Sequence, residues 1–156
     1  MLGELPKRFF LTSGWGEAST ELNAFDAALI KAGIGDTNLV KMSSILPPGA
    51  EQVEGFEFRK GSLVPLAFGT IASSRPGTLI SAAVAVGIPE DPRAAGLIME
   101  CEAEGPSEEC ERLARDMVRE GMETIRGVRI REIKSISASL TVRTVGAVFA
   151  AVVLCP

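Results

Sequence analysis

The sequence predicts an α+β domain built mainly from antiparallel sheet, with helices on an outer face. Two segments carry apolar residues at helical spacing, 20–32 and 107–126. About six short apolar runs, bounded by glycine, proline or polar turns, read as strands. The two kinds of element do not alternate strictly, which argues against a parallel βαβ sheet. A chain of 156 residues, 46% hydrophobic and 23% charged, suits one domain with a sizeable core. No internal repeat, linker or domain boundary shows, so residues 1–156 are read as a single domain.

Residues 8–13 form the first strand, and Gly14-Trp15-Gly16 a loop. Ser19 or Thr20 can cap a helix that runs to about residue 32, with Glu21 in its first turn, where the dipole favours an anion. Its apolar stripe is Leu22, Phe25, Leu29 and Ile30, and Gly33 and Gly35 end it. Asp26 lies four residues from both Leu22 and Ile30, so it borders that stripe. It is either a boundary carboxylate reaching water or an anion aimed at a cationic ligand. Residues 39–46 form a short apolar strand stopped by Pro47-Pro48. Residues 63–72 and 79–86, joined through Arg75-Pro76-Gly77, are expected to pair as a hairpin. Residues 96–101 form a compact strand ending on Glu100-Cys101-Glu102. Ser107 is expected to cap the longer helix, whose apolar positions are Cys110, Leu113, Ala114, Met117, Val118, Met122 and Ile125. Gly127 stops it. Residues 128–142 read as a strand, and Gly146 marks a turn or bulge before the last, 147–154.

The strand at 39–46 holds two adjacent hydroxyls, Ser43 and Ser44, pointing to opposite faces if the strand is regular. A buried hydroxyl without a partner costs about 1–3 kcal/mol. The plain reading is a satisfied polar pair near a strand end. The sharper reading is a bond that cuts itself. If the chain bends so that Ser44 Oγ meets the Ser43 carbonyl carbon, the peptide becomes an ester. Elimination then frees Ser43 as a C-terminus, and hydrolysis leaves a pyruvoyl group at position 44. A donor to the developing oxyanion is typically worth about 2.7–4 kcal/mol, and Asn38 is a candidate. Ser73-Ser74, followed by Arg75-Pro76-Gly77, is an internal comparison that reads as an ordinary turn entry.

Composition narrows the chemistry. Histidine and tyrosine are absent. This removes the commonest general base, the usual zinc ligands and every Ser-His triad. No metal site is expected. Net charge is −4 and no basic cluster appears, so nucleic acid is not an expected partner. The longest apolar run, 145–155, is shorter than the roughly 20 residues a spanning helix needs, so no membrane is expected. Cys101, Cys110 and Cys155 show no paired spacing and no secretion signal precedes them, which suggests free thiols in a reducing, cytoplasmic setting.

Several motifs in one order resemble the pyruvoyl-dependent arginine decarboxylases. They are Asn23-Ala24-Phe25-Asp26-Ala27-Ala28-Leu29, Ala32-Gly33-Ile34-Gly35, and Asn38 through Pro48, then Gly96-Leu97-Ile98-Met99-Glu100 and Val145 through Ala151. The resemblance implies an αββα sandwich, cleavage between Ser43 and Ser44 into residues 1–43 and 44–156, and a covalent pyruvoyl group derived from Ser44. It implies a homo-oligomer, a trimer or a dimer of trimers, with active sites between subunits. Asn38 would assist processing and line the pocket, Glu100 would donate a proton, and Asp26 would bind the guanidinium of L-arginine. Leu22 and Gly35 match pocket-lining positions. Lys41 and Cys101 depart from the expected pattern. The implied reaction converts L-arginine to agmatine and carbon dioxide through a Schiff base, with the keto group as electron sink. Two rivals stand beside it: the same chemistry on another amino acid, or an unprocessed trimeric binding protein.

Overall fold

The computed structural model describes residues 4–156. They form an αββα sandwich whose centre is β9 (Gly146–Cys155), buried at all ten positions. The sequence accounts for this: Gly-Ala-Val-Phe-Ala-Ala-Val-Val-Leu-Cys has no polar side chain beyond the thiol, so both faces must be covered. On one side β9 pairs antiparallel with β1 (Arg8–Glu17), on the other with β5 (Leu63–Ser73). Short β2 (Asn38–Lys41) and β4 (Glu51–Gln52) add to the edges in parallel, giving the order β2-β5-β9-β1-β4. The second sheet runs β3 (Ile45–Leu46), β7 (Gly96–Glu104), β6 (Leu79–Pro89), β8 (Ile130–Thr141), all antiparallel.

Three apolar clusters define the layers. Phe9, Ala67, Val84, Val86, Ile98, Val148 and Val152 meet between the sheets. Helix α1 (Glu21–Lys31) packs on the outer face of the first sheet through Ala28 and Leu29 against Phe149 and Ala151. Helix α2 (Ser107–Arg119) packs on the outer face of the second through Ala114 and Val118 against Ala85 and Leu97. A π-helical turn, Glu120–Ile125, extends α2 and buries Met122 before Gly127, at φ 64°, ends it. No helix among the described residues is long and apolar enough to cross a membrane.

Several expectations need correction. Gly14 and Gly16 are not a loop but the end of β1, where α1 lies almost on the backbone. A Cβ on Gly14 would stand 2.2 Å from the Ala28 carbonyl oxygen, so glycine is there for close helix–sheet approach. Leu22 and Ile30 are not buried in the stripe of α1; they are 76% and 58% exposed, and alanines 24 and 28 make the contact instead. Thr20 does cap α1, its hydroxyl accepting from the Asn23 amide at 3.1 Å. Ser107 does not cap α2; it is the first helical residue, and Pro106 stands at the cap without a side-chain bond. β5 and β6 do not pair as a hairpin, because each belongs to a different sheet. Gly146 opens β9 rather than preceding it. The comparison pair behaves as a turn: Ser73 Oγ accepts from the Arg75 amide at 3.1 Å, and Ser74 Oγ donates to Glu21 at 3.0 Å.

Candidate active site

The stretch read as one strand, 39–46, is two strands in two sheets. β2 ends at Lys41 against β5 of the first sheet, and β3 begins at Ile45 against β7 of the second. Met42, Ser43 and Ser44 cross the gap, with a bend at Ser44. Each end of the crossing is held by one short backbone bond. The Met42 amide donates to the Leu66 carbonyl at 2.7 Å, and the Ile98 amide donates to the Ser44 carbonyl at 2.7 Å. Thus the serine peptide lies outside both ladders, Ser43 exposed and Ser44 half-buried. The alternation assumed for a regular strand does not apply, because the chain leaves the first sheet after Lys41 and joins the second at Ile45.

Glu100 faces the same gap. It lies opposite Val84 on β6, as Ile98 lies opposite Val86, and both valines belong to the inter-sheet core. Since Ile98 and Glu100 are two apart, they share a face. Ile98 is the residue that holds Ser44, so Glu100 stands one side-chain step, about 7 Å of strand, beyond it. Glu102 follows on the same face. Gly69 of β5 lies beneath both: a Cβ there would meet Glu102 Oε2 at 3.0 Å and Glu100 Cβ at 3.4 Å. Burial pushes the Glu100 carboxyl above the ordinary range; Lys41 opposes this and Glu102 adds to it. Lys41 stands on the outer face of the first sheet, its ammonium 4.7 Å from the centroid of the Phe68 ring. A strand edge thus brings together a crossing outside both ladders, a carboxyl whose pKa burial raises, and, from the outer face of the first sheet, one cation.

The remaining candidates lie elsewhere in the single chain. Asn38 starts β2, and its amide Nδ2 donates to the Gly61 carbonyl at 3.0 Å, a strand's length from Ser43. Asp26 and Leu22 are on the exposed face of α1, with the whole first sheet between them and Glu100. Gly35 is half-buried behind α1, where a Cβ would strike Ile30 Cδ1 at 2.2 Å. A cavity of about 650 Å³ opens between Leu5, Phe56, Phe58, Leu63 and Leu154, and includes neither serine nor Glu100.

A family model described as pyruvoyl-dependent arginine decarboxylase matches residues 8–155. The chain belongs to this family. Among its relatives, the pyruvoyl-dependent arginine decarboxylase of Methanocaldococcus jannaschii is 46% identical over 151 residues, covering 97% of this chain and 91% of the relative. That of Methanococcus maripaludis is 44% identical over 151 residues, covering 97% and 92%. That of Pyrococcus abyssi is 43% identical over 156 residues, covering 97% and 96%.

The pyruvoyl group implied for the family fits position 44 on structural grounds. The residue is outside any ladder, its carbonyl is already fixed by Ile98, and the segment that would be cut off, ending at exposed Ser43, pairs with no strand of the second sheet. Reading the sequence missed Gly69 and Glu102 in this family member. A glycine inside an apolar strand was the available signal for Gly69, since it marks close approach of another element. Nothing in the local pattern marked Glu102, because facing Gly69 is a tertiary fact.

Proposed function

We propose that this chain decarboxylates L-arginine to agmatine and carbon dioxide, with a pyruvoyl group made at Ser44 by scission of the Ser43–Ser44 bond. The observation that carries the reading is the crossing between sheets at that bond, beside half-buried Glu100. In the processing step Ser44 Oγ attacks the Ser43 carbonyl carbon, and the amide nitrogen of residue 44 leaves as the ester forms. Elimination releases residues 1–43, and hydrolysis of the remaining dehydroalanine frees ammonia. The keto group so formed supplies an electron sink for the charge left by departing carbon dioxide. Glu100, whose burial favours the protonated form, delivers a proton to the substrate carbon that has lost its carboxylate. Gly69 and Ile98 keep that carboxyl and residue 44 at fixed spacing.

Asp26 enters from a second copy in this reading. Its position on the exposed face of α1, between exposed Leu22 and Ile30, supports a role across a subunit boundary. A bidentate carboxylate suits a guanidinium better than an ammonium. Asn38, held at Gly61 and exposed, would likewise work at that boundary. A trimer, or a dimer of trimers, would close the site. Three free thiols support a cytoplasmic setting.

The deciding measurement is the intact mass of the purified protein under denaturing conditions. Two species, 1–43 and 44–156, are expected, the larger without a free amino terminus. Ser44→Ala should remain one chain and release no carbon dioxide from arginine. A wild-type preparation that is folded, uncut and inactive would refute the reading.

A further inference from the structure

Two of the three cysteines, unpaired in sequence, are neighbours in space. Cys101 lies on the outward face of β7, and Cys110 on the buried face of α2, one turn from its start. Their sulfurs are 3.1 Å apart. The turn between them makes this possible. Gly105 adopts φ 132°, its amide donates to the Leu79 carbonyl at 2.9 Å, and its carbonyl accepts from Ser81 Oγ at 2.5 Å. α2 therefore starts directly over the last turn of strand. Cys110 is buried, with the Ser81 carbonyl 3.8 Å from its sulfur, while Cys101 is half-buried under an opening lined by Ala103, Pro106, Glu109 and Leu113. Cys155 is buried on the far side of the first sheet.

We infer that Cys101 and Cys110 are a site of reversible oxidation, closing to a disulfide that staples α2 to the strand carrying Glu100. The co-reactant is a small-molecule disulfide. Cys101, the accessible thiol, loses its proton and attacks one sulfur of that molecule, whose other half departs as a thiolate. Cys110 then gives up its proton and displaces the second half. One disulfide is broken and one made; two protein thiols are oxidised and two small thiols are formed. The order follows from the site: burial, with Cys101 beside it, pushes the Cys110 thiol up to about 12, so Cys110 is the resolving and not the attacking member. The reach needed is small, since sulfurs already in contact have only to close to bonding distance.

The inference stands apart from the decarboxylase reading, and its test has no activity readout. The folded protein is incubated with oxidised glutathione, quenched with acid, and its thiols are counted in denaturant alongside the intact mass. Three thiols should fall to one, the remaining one at Cys155, with the loss of two hydrogens and no glutathione adduct. The melting temperature should rise by roughly 5–10 °C, and dithiothreitol should reverse both changes. Cys101→Ser and Cys110→Ser, each folded by circular dichroism, should show no such rise. Three persisting thiols, a glutathione adduct that never resolves, or cross-linking between chains would each overturn the proposal.

Discussion

Glu100 shows how one carboxyl is tuned by burial and by charges on two strands, β2 and its own β7. Burial raises its pKa, the Lys41 charge lowers it, and Glu102 raises it again. In the proposed role of proton donor it must be protonated, so activity should fall as pH rises through that raised value. Lys41→Met removes the opposing charge and should move the falling limb of kcat to higher pH; Glu102→Gln should move it lower. A limb unmoved by either change would detach Glu100 from the proton step. The same shift has a stability consequence. A carboxyl whose folded pKa is raised contributes stability that is full below its unfolded value, near 4.5, and is lost as pH rises through the folded value. Glu100→Gln, which mimics the protonated form, should therefore melt higher than wild type at pH 7, with the gap closing toward pH 4. Lys41 stood out in the sequence only as an unexpected residue; its electrostatic role depends on the edge of one sheet meeting the edge of another.

At the scale of elements, the split of residues 39–46 into β2 and β3 is the main departure from what the sequence allowed. The apolar run was visible, and so were both serines and the stop at Pro47-Pro48. The change of sheet was not, because each half pairs with residues far along the chain, β5 for one and β7 for the other. Helix α1 was legible in its cap and length and in half of its stripe, since Phe25 and Leu29 do face the core. Small alanines press on glycines there, and the large residues Leu22 and Ile30 stay outside. That close contact is testable. Gly14→Ala places a methyl group against the Ala28 carbonyl, and overpacking of this kind typically costs about 1–3 kcal/mol. Thermal denaturation should register it as a lower melting temperature, while Gly33→Ala, whose added Cβ meets nothing, tests backbone strain alone at φ 82°.

For the molecule as a whole, the α+β class followed from pattern, the four-layered sandwich only from the family resemblance, and the assembly from neither. Asp26 and Glu100 lie on opposite sides of the first sheet, so one chain cannot present both to a single arginine. Asp26→Asn should raise the arginine KM steeply while leaving chain cleavage intact. Asp26→Asn and Glu100→Gln chains, each poorly active alone, should recover part of the activity when denatured together and refolded as mixed oligomers. Failure of the mixture to exceed either parent would place the guanidinium partner elsewhere.

The fragment 1–43 that the proposed cut would make holds β1, α1 and β2, and β1 lies between β9 and β4 of residues 44–156, at an inner position of its sheet. Severing the tie at residue 43 therefore leaves the lesser piece woven through the greater. Neither half can drift away without dismantling a shared core, so the wound stays open at its lip while everything behind it remains whole. The ends made by the proposed cut would belong to different sheets, one following β2 and the other leading into β3.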